Sequence, residues 1–200
     1  AGIEKSLNRL VEKEKIAAAT AGEWLSRITP VADYAPMAEA SLIIEAATER
    51  EEIKRAIFAE VGKVLSADAV LASNTSSIPI TRLAQASPDA ARFIGVHFFN
   101  PVPVMDLIEV IRGLGTSDDT VATVAAFGKA LGKKMVFAND APGFIVNRVN
   151  RPFTIEALRL LESGGAGVTD IDIAMRAAGF KMSRPKSAVP KCRSNGLRLI

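Results

Sequence analysis

The chain is 200 residues long, which suits one domain, or one domain and part of another. Hydrophobic residues make up 48% and charged residues 24%, which excludes a disordered or fibrous chain, and no apolar run approaches the roughly 18 residues of a membrane span. The net charge of +3 is uneven: residues 181–200 hold six basic side chains and no acid, so residues 1–180 carry 19 basic against 22 acidic side chains, a net −3.

In chain order, Ile3, Leu7, Leu10 and Val11 recur at helical spacing opposite Glu4, Lys5, Arg9, Glu12 and Lys13, so the chain opens on an amphipathic helix. Residues 27–31 are a short strand candidate. Residues 41–46 (SLIIEA) form a continuous apolar run, the mark of a strand buried on both faces. Thr48-Glu49-Arg50-Glu51 then opens a helix with Ile53, Ile57, Phe58 and Val61 on one side. Further strands are expected at 70–73, 93–98, 107–111 and 134–138, with helices at 79–86 and 118–131 between them. Strand and helix alternating at this spacing predict an open α/β sheet with right-handed crossovers.

From Gly143 onward the pattern is helical only. A long amphipathic helix is expected at 144–163, ending at Gly164-Gly165, and Thr169 is the N-cap candidate of the next. The boundary between the sheet domain and an all-α segment falls near residues 139–142. The expected organisation is a sheet domain over 1–140, the start of a helical domain over 141–182, and a divergent tail over 183–200. The tail holds Pro185 and Pro190, no aromatic residue and no periodic apolar face, so it is expected to pack poorly. The single cysteine, Cys192, excludes a disulfide scaffold and a Cys-based zinc site.

Three segments carry candidate chemistry. The only histidine, His97, ends a predicted strand in Gly95-Val96-His97-Phe98-Phe99-Asn100-Pro101. If strands 93–98 and 106–111 form a hairpin over the loop 99–105 with its turn centred near Pro103, Glu109 stands directly opposite His97 on the same face. A carboxylate there would fix the imidazole tautomer, as a general base requires, or would make a structural His–Glu pair; both readings stand. Ser73-Asn74-Thr75-Ser76-Ser77 follows the strand at 70–73, at the end where open α/β sheets bind ligands. Those side chains either form and cap a turn or present hydroxyls and an amide to a ligand. Asn147, among apolar residues in the first turns of the long helix, needs a partner in a neighbouring helix or in a bound substrate.

Four segments, IIEAATER, SNTSSIPI, HFFNPVPVMDLIEV and DAPGFIVNR, resemble the 3-hydroxyacyl-CoA dehydrogenase family in order, and the resemblance runs from about Gly2 to Met182. The resemblance implies that His97 is the base that takes the proton of the substrate 3-hydroxyl and that Glu109 orients it. It implies that Ser76 and Asn147 hold the reacting oxygen and the acyl-CoA. On the side of the NAD cofactor it implies Glu49, Lys54, Asn74, Ser76 and Asn100. The implied reaction is hydride transfer from C3 of (S)-3-hydroxyacyl-CoA to NAD, in a cytoplasmic enzyme of fatty acid β-oxidation. The expected partners are the acyl-CoA substrate and a second copy in a homodimer, with no nucleic acid, membrane or metal.

Two departures qualify the resemblance. No GxGxxG turn occurs: Gly113-Leu114-Gly115 runs into Thr116-Ser117-Asp118, and Gly164-Gly165-Ala166-Gly167 lies between helices. The resemblance implies a Rossmann-like sheet whose first strand, first helix and second strand precede Ala1. After Gly179-Phe180-Lys181-Met182 the resemblance stops at Ser183-Arg184-Pro185, which suggests a shifted reading frame or a spurious end. An impaired piece of the dehydrogenase is the first expectation. A non-catalytic α/β binding or oligomerisation relative is the alternative, and a nucleic-acid binder resting on the basic tail alone is a third.

Overall fold

The computed structural model describes residues 2–180. The chain divides into two compact units, Ala1–Phe144 and Ile145–Ile200.

The first unit is built on a five-stranded sheet of β1 (Leu42–Glu45), β2 (Val70–Ser73), β3 (Phe93–Phe98), β4 (Leu107–Arg112) and β5 (Lys134–Asn139), side by side in that order. β1, β2 and β3 run parallel; β4 folds back antiparallel on β3, and β5 runs parallel to β4. The parallel connections pass through α3 (Glu51–Val61), α4 (Ile80–Ala84) and α5 (Asp118–Ala130). α1 (Gly2–Glu12) and α2 (Ala18–Ser26) precede the sheet and pack against each other.

The two-residue period of the strands divides the core. Leu71, Phe93 and Ile111 join Phe58, Val61, Ile80 and Leu83 from α3 and α4, with Phe144, on one face. Val70, Ala72, Ile94, Val96, Ile108 and Val110 join Val124 of α5 on the other. Gly95 lets α4 approach β3: a β-carbon there would lie 2.8 Å from Ile80 Cδ1 and 2.9 Å from Ile111 Cβ. The same alternation puts Glu45, Ser73, His97 and Glu109 on the α3–α4 face.

The alternating α/β architecture and all five sheet strands follow the sequence pattern, but four local expectations do not. Residues 27–31 are no strand: Ile28 and Val31 are exposed, and Pro30 has no N–H to give a ladder. β1 is only half-buried at Leu42, Ile43 and Ile44, because among the described residues it has a strand on one side only. The last long helix, α6 (Val146–Glu162), starts two residues late because Gly143 and Phe144 take left-handed backbone, φ +76° and +49°. α7 (Val168–Ala177) is N-capped by Gly167, not by Thr169. α2 was not anticipated, since its alanine-rich segment has no regular apolar stripe.

The second unit holds α6 and α7. α6 ends as expected, with Gly164 at φ +74° and its N–H bonded to the carbonyl of Leu161. Phe153 and Phe180 meet at a tilt, 4.9 Å between ring centroids. The basic tail and Cys192 lie outside the described residues.

Candidate active site

The hairpin of β3 and β4 sets His97 and Glu109 as direct partners in the ladder. Their side chains meet on the α3–α4 face, His97 Nδ1 to Glu109 Oε2 at 2.7 Å, with His97 5% and Glu109 0% exposed. An ionised carboxylate can only accept, so Nδ1 carries the hydrogen and Nε2 keeps its lone pair. Phe99 lies tilted against the imidazole at 4.7 Å between centroids, and Phe144 meets it edge-on at 5.7 Å. The ring is thus fixed by one short hydrogen bond and two aromatic walls.

The loop of residues 99–105 that closes the hairpin is pinned from outside. Lys133, in the turn between α5 and β5, donates at 2.8 Å to the carbonyls of both Val102 and Met105. Asn100 stands exposed in this loop, before Pro101.

Beside the hairpin, the end of β2 and the turn after it form a polar ledge. Asn74 Oδ1 accepts from the N–H of Phe98 at 2.8 Å, and the Asn74 N–H donates to the carbonyl of Glu45 at 2.8 Å. Asn74 therefore extends both ladders of β2 by one residue, and its side-chain N–H donors remain available among the described residues. Glu49 organises the next residues: one carboxylate oxygen accepts from Thr75 Oγ1 at 2.8 Å, from the Ser76 N–H at 2.9 Å and from Ser77 Oγ at 2.9 Å. Burial pushes the Glu49 carboxyl up, but those three hydrogen bonds and the nearby Lys54 charge outweigh it and hold Glu49 below the ordinary carboxylate value. The Ser76 hydroxyl has no partner among the described residues and is free to meet a ligand.

Under the ledge lies a buried ionic cluster. Lys54 of α3, 1% exposed, meets Glu45 Oε2 at 2.6 Å and comes within 3.9 Å of Glu49. Ser73 Oγ donates to the same Glu45 oxygen at 3.0 Å, and the Ala47 N–H to the other at 2.8 Å. Glu45 was not singled out from sequence, and Ser73, Thr75 and Ser77 entered only as members of the polar run after β2. The available signal was Glu45 itself, a charge at the end of an apolar strand.

The first unit therefore carries seven of the eight singled-out residues: His97, Glu109 and Asn100 on the hairpin, Asn74 and Ser76 after β2, Glu49 before α3 and Lys54 on α3. Asn147 stands in the first turn of α6, in the second unit. The donors around Asn74 and Ser76 suit the amide and hydroxyl groups of a nicotinamide nucleoside, at the strand ends where such folds bind dinucleotides. Among the described residues no cluster of His, Cys, Asp and Glu is placed to hold a metal, and no helix is long and apolar enough to cross a membrane.

Comparison with known proteins gives the same direction. Residues 1–141 match the family described as 3-hydroxyacyl-CoA dehydrogenase, NAD binding domain, and residues 143–185 match its C-terminal domain. The chain is 45% identical over 174 residues to a probable 3-hydroxybutyryl-CoA dehydrogenase of Deinococcus radiodurans, covering 87% of this chain and 62% of that protein. It is 44% identical over 182 residues to the 3-hydroxyadipyl-CoA dehydrogenase of Escherichia coli, covering 90% of this chain and 38% of that one. The crystal structure of (S)-3-hydroxybutyryl-CoA dehydrogenase from Ralstonia eutropha superposes with a TM-score of 0.85 at 44% identity, over 87% of this chain and 62% of that chain. The chain spans less than two thirds of each of these proteins.

Proposed function

Because the chain belongs to the 3-hydroxyacyl-CoA dehydrogenase family, whose cofactor is NAD, we propose that it carries the proton-handling centre for oxidation of (S)-3-hydroxyacyl-CoA to 3-oxoacyl-CoA. The observation that carries this reading is the buried His97–Glu109 pair at 2.7 Å. Nε2 of His97 takes the proton of the 3-hydroxyl, and Glu109 stabilises the imidazolium that results, without itself being protonated. NAD, when bound, supplies the acceptor for the C3 hydride. Ser76 holds the reacting oxygen through its free hydroxyl, and Asn147 of the helical unit serves the acyl-CoA.

Asn74, with its free amide donors, and Asn100, exposed in the hairpin loop, take the nicotinamide side of the cofactor. Glu49 acts there by holding the turn that carries Ser76, and Lys54 by holding Glu45 and Glu49 beneath it. In the reverse direction the same imidazolium gives its proton to the 3-oxo oxygen. We place the reaction in the cytoplasm, in a homodimer, with acyl-CoA as substrate. The presence together of Ser76, His97, Glu109 and Asn147 favours this over a non-catalytic relative.

The test is a fusion that supplies a glycine-turn βαβ unit from a relative ahead of Ala1. Acetoacetyl-CoA reduction is then followed by loss of NADH absorbance. We expect turnover that falls about 10²–10⁴-fold in His97→Ala, the usual worth of a positioned base. Turnover unchanged by His97→Ala, or none in a folded fusion that binds NADH, would refute the proposal.

A further inference from the structure

We infer that Asp140 is a positioning residue that holds Phe144 against the His97 ring. α4 begins after Pro79, whose side chain has no oxygen with which to cap the helix. The first two N–H groups of α4 are met instead from 60 residues away. Asp140 Oδ1 accepts from Ile80 at 2.9 Å and Oδ2 from Thr81 at 2.8 Å. Both carboxylate oxygens are thus committed to α4, and the chain leaving β5 is pinned where it passes that helix.

Phe144 follows four residues later, and the intervening turn is closed by the Phe144 N–H on the carbonyl of Ala141 at 2.9 Å. The turn needs left-handed backbone at Gly143 and again at Phe144 itself, φ +49°. A residue with a β-carbon holds such a conformation only where its surroundings impose it. Here one end of the turn is fixed by Asp140 and the other by burial of the Phe144 ring, 5% exposed, in the cluster with Ile78 and Ile80. Ile80 joins both devices: its N–H binds Asp140, and its side chain packs in the cluster and against Gly95, two residues before His97 on the same face.

Of the two aromatic walls around His97, Phe99 comes with the hairpin. Phe144 comes on this anchored turn. Its shielding serves the reaction only if His97 is the base proposed above, but the shielding itself is measurable without turnover.

His97 is the only histidine, so its imidazole can be read without ambiguity. The probes are the rate of diethyl pyrocarbonate acylation at His97, by peptide mass spectrometry, and the ring-proton resonances of His97 by NMR. In Asp140→Ala we expect acylation to be about five- to thirtyfold faster, with His97 resonances displaced as the Phe144 ring leaves, the size of change that losing one anchor gives a local opening equilibrium. Asp140→Asn, which keeps an acceptor for one N–H, should fall between. Phe144→Leu should expose His97 similarly, and adding Asp140→Ala to it should change the rate little, because both act through one contact.

Unchanged His97 reactivity in folded Asp140→Ala, or an effect of full size in the Phe144→Leu background, overturns the proposal. If Asp140→Ala does not fold, Asp140→Asn decides, and a rate equal to wild type overturns it. Failure of the base assignment would show separately, as turnover that survives His97→Ala in the fusion while the shielding result stands.

Discussion

Lys54 Nζ lies 2.6 Å from Glu45 Oε2, with both side chains almost wholly removed from water. Two desolvated ions are held there by their mutual attraction and by hydrogen bonds to Glu45 from Ser73 and the Ala47 N–H. Removing one partner leaves the other buried and uncompensated. Lys54→Ala is therefore expected to cost about 3–5 kcal/mol, whereas the apolar pair Glu45→Leu with Lys54→Met should cost much less. Urea unfolding of the single and double variants checks this. Equal losses in both would mean that packing, not charge pairing, dominates the site.

Glu49 gives stability a pH dependence with a definite sign. Its carboxyl sits below the ordinary value in the folded chain, because the Thr75, Ser76 and Ser77 donors and Lys54 outweigh its burial. A carboxylate depressed on folding adds stability that is whole above its unfolded value, about 4.3, and fades as pH falls toward and through the lower folded value. Glu49→Gln should lose this increment. The gap in Tm between wild type and Glu49→Gln should be constant above about pH 5 and shrink below about pH 4. A gap that is flat throughout the acid range would show that the lowered value does not contribute.

Glu109→Gln probes the tautomer of His97. The carboxylate accepts from Nδ1 and thereby leaves Nε2 as the base. A glutamine amide can instead donate to Nδ1, which would place the hydrogen on Nε2 and remove the basic lone pair from the substrate side. It also brings no charge to balance the imidazolium. In the glycine-turn fusion, kcat is expected to fall about 10²–10⁴-fold with little change in KM for acetoacetyl-CoA. A change confined to KM would assign Glu109 to substrate binding.

The parts of the site that come from one local pattern are legible in the sequence. His97 faces Glu109 because the hairpin turns about Pro103, which sets the register, and the two-residue period then fixes the shared face. The strand ends carrying Asn74 and Ser76 are legible for the same reason. The burial of Lys54 is not: helical spacing puts it on the face of Phe58 and Val61, but a lysine stays there only because it meets Glu45, which Ser73 of a different strand also holds. Asp140 reads only as a polar residue before a Pro-Gly turn, because its partners are backbone groups 60 positions away. Residues 27–31 mislead in the opposite direction. Ile28 and Val31 have strand-like composition, but Pro30 and the lack of a neighbouring strand leave them exposed.

A polypeptide of these 200 residues by itself is expected to have little dehydrogenase activity, although its His97–Glu109 pair is assembled. Dinucleotide-binding sheets hold the pyrophosphate on the backbone N–H groups of a glycine turn and on the helix N-terminus that follows. No GxGxxG occurs in the 200 residues, so the groups around Asn74 and Ser76 must hold the nicotinamide end without that anchor. β1, only half-buried, adds Leu42, Ile43 and Ile44 on an edge that is open among the described residues and invites association. Hydride transfer needs reacting atoms held about 3–3.5 Å apart, and a cofactor anchored at one end does not hold that distance. Acetoacetyl-CoA reduction should therefore be slow in the 200-residue chain and rise steeply with NADH concentration without saturating. The glycine-turn fusion should restore saturation. Saturable, rapid turnover by the 200-residue chain that disappears in His97→Ala would show that the glycine turn is dispensable.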